Sequence, residues 1–302
     1  MADSIQRGIR SAQIGMLINS ALAATKLVAG IVGNTYALVA DAIESATDIF
    51  SSLIVWRGLH MAARDADDDY PFGYGKAESL ATGLVALMLL AAALGIAVQS
   101  VREIRTPHLT PAPWTLGVLV AVMAVKWTLS RRVHAVGAEI GSTAVKADAW
   151  HHMSDAITSA AAFVGIGIAV LGSRYLGGSG WASADDWAAL VASAVIAFNG
   201  VSMLRPAVHD LMDRTPGADV VASVRRAAEA VPGVLATEKI AVRRSGLVYR
   251  VTLHVQADEQ MTLHDAHELS GRVKGAIRAA VPQVGAVLVH MEPFVPPHDA
   301  AR

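Results

Sequence analysis

Two stretches of the chain, Ala40 to Asp48 and Ala147 to Asp155, align without a gap and carry acidic or imidazole side chains at matching places. The first holds Asp41, Glu44 and Asp48; the second holds Asp148, His151 and Asp155. The continuations Asp48-Ile49-Phe50-Ser51-Ser52 and Asp155-Ala156-Ile157-Thr158-Ser159 also match in character. On a helix, offsets of three and seven share a face, so each stretch presents a stripe of ligand-type side chains. The i, i+4 pairs Glu44/Asp48 and His151/Asp155 would offer three carboxylates and one imidazole, a four-coordinate set acceptable to zinc. Such an oxygen-rich set also suits Fe(II), Mn(II) or Co(II). All four groups bind a metal only when deprotonated, so metal and protons compete for them, which is a physical route to exchanging one for the other. The repeat alone does not require all six groups to meet.

The segments that carry these stripes are apolar. The 302-residue chain is 53% hydrophobic and 17% charged, with a mean hydropathy of +0.42, which places it among membrane proteins. An ionised carboxylate at mid-membrane costs roughly 2.5–3.5 kcal/mol on insertion scales, so several on two helices need compensation, from a bound cation or from Lys26, Lys126 or Lys146. The net charge of −1, with basic residues spread along the chain, argues against a nucleic-acid partner. The absence of cysteine excludes thiolate metal sites, disulfides and cysteine nucleophiles. Met1 to Gln13 is charged and amphipathic, unlike a removable signal peptide, so the first span is expected to act as its own insertion signal.

Six apolar windows reach the length needed to cross about 30 Å of hydrocarbon. They run approximately over Ile14 to Val32, Ala37 to Trp56, Leu80 to Val101, Trp114 to Leu129, Ala144 to Leu171 and Trp187 to Met203. Gly33-Asn34, the Pro107 to Pro113 stretch and Gly177 to Gly180 break them apart. With a cytoplasmic N-terminus, Arg7, Arg10, Arg57, Arg64, Lys76, Arg131, Arg132 and Arg205 fall inside, against Arg102, Arg105 and Arg174 outside, a bias that places both termini in the cytoplasm. The expected fold class is therefore an α-helical polytopic membrane protein with six transmembrane helices and a small C-terminal α+β cytoplasmic domain.

That tail domain shows as a change of periodicity after Asp213. Val220 to Val231 reads as a helix, Glu238 to Arg243 and Val248 to Val255 as strands joined near Ser245-Gly246, Leu263 to Val281 as a helix and Ala286 to Glu292 as a strand, in the order αββαβ. Residues 1–212 are expected to form the transport domain, 213–295 the cytoplasmic domain and 296–302 a C-terminal tail.

With the two stripes, the segment Pro71-Phe72-Gly73-Tyr74-Gly75-Lys76-Ala77-Glu78 makes the chain resemble the cation diffusion facilitator family of metal/proton antiporters over nearly its whole length. The resemblance implies a transport site at Glu44, Asp48, His151 and Asp155, with Asp41 and Asp148 as supporting or proton-relay residues. His152 points about 100° away from His151 and reads as a packing or interface histidine. Some relatives bind an ion in the loop between spans two and three; the matching positions look like Asp67, Tyr70 and Tyr74, and the two tyrosines predict no tight site there. The Asp65, Asp67, Asp68 and Asp69 cluster is expected to attract cations weakly. In the tail, positions that look like the family's ligands are His254, His267, His290 and Glu292, with Glu238 where some relatives carry histidine and His264 as a spare. The resemblance further implies a homodimer, a Lys76–Asp213 salt bridge at its hub, and regulatory metal in the tail.

The chain is thus expected to be a secondary active transporter of the cell (inner) membrane, not an enzyme. It would exchange Zn(II) or Fe(II) for protons across the bilayer, with no cofactor beyond the transported metal and a regulatory one. A carrier of Mn(II), Co(II) or Ni(II) of the same type is the alternative. A membrane hydrolase would need an open metal position and a general base, and no HExxH motif is present. A metal sensor without transport would not need paired ligands in two spans.

Overall fold

The computed structural model describes the backbone at residues 2–106, 110–140, 143–176, 179–246 and 248–294, and side chains at residues 17–50, 53–106, 110–128, 131, 159–176, 180–246 and 248–294. It divides into two compact units, residues 1–54 with 84–204, and residues 55–83 with 205–302.

The first unit is helical. Its elements are α1 (Ala2–Val32), α2 (Tyr36–Ala62), α3 (Lys76–Arg105), α4 (Trp114–Ile140), α5 (Thr143–Tyr175) and, after a 3-10 turn at Ser179–Ala182, α6 (Ser183–Leu211). The ends of α2, α3 and α6 belong to the second unit. Each expected span lies within one helix, and each helix outruns its window because polar residues that end hydropathy still accept helical geometry. Helix α1 begins at Ala2, well ahead of its window at Ile14, and α4 continues to Ile140 where the apolar window stops at Leu129. Among the described residues, α3 and residues 180–211 are long and apolar enough to cross a membrane, and shorter apolar helical stretches cover 17–32, 114–128 and 159–175.

The breaks are where the sequence puts them. At the first, Asn34 adopts φ 50°, the left-handed region asparagine tolerates, and Ala112 N–H donates to Gly33 O at 2.8 Å, tying this turn to the α3–α4 connection. Side chains along the helices are small where backbones come close: a Cβ on Gly165 would strike the Cβ of Ala188, so α5 and α6 approach there only because the residue is glycine. Outward positions carry large apolar groups such as Leu94, Val191 and Phe198, at 67%, 58% and 71% exposure, as expected of surfaces that face lipid.

In the second unit the tail has the expected αββαβ order: α7 (Ala218–Glu229), β1 (Ala236–Ser245), β2 (Val248–Ala257), α8 (Leu263–Ala280) and β3 (Val284–Pro293). The sheet order is β1-β2-β3, with β1 and β2 antiparallel and β2 and β3 parallel, so α8 is the crossover a parallel pair requires. Val242, Val251, Leu253 and Val255 pack from the sheet against Val224 and Ala228 of α7 and Leu269, Val273 and Ile277 of α8. Both helices cover one face, leaving the other for polar side chains. Helix α8 is capped by Thr262, whose hydroxyl accepts Asp265 N–H at 3.1 Å.

Candidate metal centres

Within the helical unit, the first stripe lies on α2. Glu44 and Asp41 are buried, at 9% and 3% exposure, and Asp48 is half-buried. Asp148, His151, His152 and Asp155 lie on α5, and their side chains fall outside the described residues. The two helices are joined next to the stripes. Lys26 of α1, with no solvent exposure, puts its ammonium 2.8 Å from Asp41 Oδ1 and donates to Ser45 Oγ at 3.0 Å and Ser159 Oγ at 3.3 Å. Ser159, on α5, donates to Asp41 Oδ2 at 2.9 Å. One lysine therefore satisfies an acid of α2 and links three helices, as a buried charge must be paired to be tolerated. Of the lysines read as partners for the acids, Lys26 takes that part for Asp41, while Lys126 is buried at 2% exposure in α4.

A further acid positions α2 and carries no motif. Asp185, buried at the start of α6, accepts Thr35 Oγ1 at 2.9 Å, Tyr36 N–H at 2.5 Å and Ala37 N–H at 3.3 Å. Thr35 itself accepts Leu38 N–H at 3.2 Å. Together they satisfy orphan donors of the first turn of α2, and the carboxylate meets the positive end of the helix dipole. The signal was an acid pair, Asp185-Asp186, just ahead of an apolar span, which reads equally well as that span's own first turn.

In the tail, strand register makes a row. Glu238 of β1 pairs with His254 of β2, and His254 with His290 of β3. Glu292 follows two residues after His290 and so shares its face. His254 Nδ1 lies 2.7 Å from Glu292 Oε1, His290 Nε2 lies 3.5 Å from the same oxygen, and the two imidazole centroids are 4.7 Å apart. One ligand atom from each of His254, His290 and Glu292 falls within 4.8 Å of the others. When His254 donates Nδ1–H to Glu292, its Nε2 lone pair is the available ligand and the carboxylate orients the ring. Burial pushes Glu292 up, but its hydrogen bonds to His254 and Glu238 and the nearby charges of His254 and Lys239 outweigh it and hold the carboxyl below its usual range. His267 lies exposed on α8 outside this group, and His264 Nε2 sits 3.9 Å from Glu268. Lys239, which the sequence did not single out, sits at a bulge in β1 with φ 46° and places its ammonium 3.1 Å from Glu238 and 3.9 Å from Glu292.

The same unit holds a charged junction. Lys76 Nζ lies 3.1 Å from Asp213 Oδ1 and donates to Leu211 O at 3.2 Å, and Arg243 donates to Asp213 Oδ2 at 2.9 Å. Burial raises the Asp213 carboxyl, but its bonds to Lys76 and Arg243 prevail and lower it. In the preceding loop Asp67 accepts Tyr74 O–H at 2.7 Å and Tyr70 N–H at 2.8 Å, and Arg64 lies over the Tyr74 ring at 4.5 Å. The Tyr74 bond is the main cause of the lowered Asp67 pKa. Both oxygens of Asp67 are thus used within its own turn.

Six helices with buried acids, followed by a small sheet with an imidazole–carboxylate cluster, define a membrane protein that handles metal cations. Two family models match: the cation efflux transmembrane domain over residues 12–212 and the cation efflux protein cytoplasmic domain over residues 216–294. The chain belongs to the cation diffusion facilitator family, integral membrane proteins that move divalent metal cations out of a compartment. It is 26% identical to the manganese efflux system protein MneP of Bacillus subtilis, over 94% of this chain and 95% of that protein. It is 28% identical to the magnetosome protein MamB of Magnetospira sp., over 91% of this chain and 92% of the relative. A solved C-terminal domain of MamM matches at 25% identity with a TM-score of 0.25, covering 25% of this chain and 96% of that domain.

Proposed function

We propose that the chain exports Zn(II) or Fe(II) from the cytoplasm across the cell membrane in exchange for protons, alternating access around a site built from Glu44, Asp48, His151 and Asp155. The observation that carries this is the Asp41–Ser159 bond, because it brings α2 and α5 together beside both stripes. Consecutive spans run in opposite senses, so α2 and α5, three apart, are antiparallel, and a one-for-one register from that bond sets Asp48 level with His152 and Glu44 level with Ala156. His151 and Asp155 are then each one position from an α2 ligand. Asp41, neutralised by Lys26, stands behind the ligands and holds the helix pair, and Asp148 is its counterpart on α5. Proton coupling follows from the ligands, which release protons to take metal and regain them when it leaves.

The division at 1–212, 213–295 and 296–302 has support from the limits of the two family matches. The tail domain acts as a regulator: His254, His290 and Glu292, with Glu238 beside them, take a second metal ion, and two copies of the chain pair through this domain, with the Lys76–Asp213 bridge near the hub. Both termini lie in the cytoplasm.

Mn(II) as cargo is the second reading, favoured by the similarity to a manganese efflux protein over nearly its full length and by the three carboxylates of the site. Inside-out vesicles loaded with a pH-sensitive dye and given zinc, iron, manganese or cobalt in turn test both. Uptake of zinc or iron with loss of lumenal protons is expected. A preference for manganese selects the second reading, and metal uptake without proton movement would overturn antiport.

A further inference from the structure

Where α6 turns into α7, a cavity of about 600 Å³ opens, lined by Arg205, His209, Arg214 and Arg244 with Asp210 as the single carboxylate. Three guanidinium groups against one acid leave it net positive, an unsuitable surface for the cationic cargo. Its shape follows from the local sequence. Asp213 at φ 56° reverses the chain, and Arg214 N–H then donates to His209 O at 2.9 Å, bringing the Arg214 fork to 2.6 Å from His209 Nδ1. Pro216 and Gly217 follow, and Gly217 caps the twelve-residue α7 without a side-chain acceptor for its first turn, where Asp219 is the nearest acid. Arg244 is held in the wall by its bond to Gly246 O at 2.9 Å and by longer contacts to Glu78 and Asp210 at 3.7 and 3.8 Å. Arg205 and Arg214 are exposed.

The cavity also has a definite level. Arg205 lies two residues past the last apolar window, and the transmembrane and cytoplasmic family matches meet between residues 212 and 216. Basic pockets at that boundary, on the cytoplasmic side, match the phosphates of anionic lipid, and guanidinium forks bind phosphate oxygens in pairs. We propose that this cavity binds the phosphate of an anionic phospholipid headgroup, with Arg205 and Arg214 as the principal contacts. The proposal rests on the reading of α6 as a membrane span with this end in the cytoplasm, and is independent of which metal is carried. A lipid seated here would bridge the end of α6 to the β1–β2 hairpin through Arg244, making the tail sensitive to membrane composition.

The purified full-length chain, in micelles offered phosphatidylglycerol or phosphatidylcholine, is examined by native mass spectrometry for retained lipid. The wild type is expected to keep phosphatidylglycerol selectively, and Arg205→Gln with Arg214→Gln to weaken that retention about ten-fold or more. Arg105→Gln, at the other end of the 30-residue α3, should leave it unchanged. Unaltered melting of the double variant in neutral lipid shows that the fold is intact. Equal retention by wild type and double variant would overturn the proposal. Full displacement of the lipid by millimolar inorganic phosphate would overturn the lipid as ligand and assign the cavity to a free anion.

Discussion

A lysine and an aspartate with almost no solvent access would each be costly alone, and in the helical unit they are placed so that neither is. Removing only the lysine leaves Asp41 charged and unpaired, so Lys26→Met is expected to lower stability by about 3–5 kcal/mol. Thermal unfolding in detergent checks this, with Lys26→Met/Asp41→Asn recovering part of the loss; a neutral single variant would contradict it. Lys239 makes the opposite kind of contribution. Its ammonium occupies the carboxylates of Glu238 and Glu292, which a tail metal would also need. Lys239→Gln is expected to raise zinc affinity at the tail several-fold in equilibrium competition against a chromophoric chelator, whereas His254→Ala removes that site; unchanged affinity would show that Lys239 does not compete. At this scale the sequence was informative where residue type repeats, as in the paired stripes, and silent where a partner is distant. Nothing in the chain order shows that Asp185 serves α2, 149 positions away from Tyr36, or that a lysine next to Glu238 folds back over it.

At the scale of elements, the αββαβ order was legible because a period of two and a period of 3.6 alternate cleanly after Asp213. The pairing of β3 with β2 was not, since α8 could return the chain to either edge of the β1–β2 hairpin. That pairing completes the Glu238–His254–His290 row and leaves His267 outside it. The β1–β2 turn also packs closely on the start of α3: a Cβ on Gly75 would meet the Ser245 carbonyl at 2.7 Å. Gly75→Ala is therefore expected to destabilise the protein by about 1–3 kcal/mol, measured by thermal melting, because backbone rather than a mobile side chain must give way. The Asp213 junction carries a pH signature. Its folded pKa is lowered from 3.8, so its contribution is present above that value and is lost as pH falls through the folded one. Protection factors at residues 210–214 and 243–245, taken from hydrogen exchange after correction for its intrinsic pH dependence, should fall on acidification below about pH 4, and Asp213→Asn should lower them at every pH and flatten their pH dependence; identical profiles would contradict the assignment.

The whole molecule carries a cation efflux transmembrane domain and a small αββαβ domain, and its class was readable from composition: a chain this apolar, without cysteine and with acids inside its apolar windows, has few other uses for them. What composition could not supply was the meeting of α2 and α5, which follows from the packing of Ser159 against Asp41 and Lys26. In the proposed transport cycle these helices share one metal site. The most direct test of this is metal flux into proteoliposomes containing wild type, Asp48→Ala or Asp155→Ala, with each variant's folded yield checked by melting. Either substitution alone removes one of four ligands and is expected to abolish flux while leaving the protein folded. Undiminished flux in either variant would contradict a site shared between the two helices.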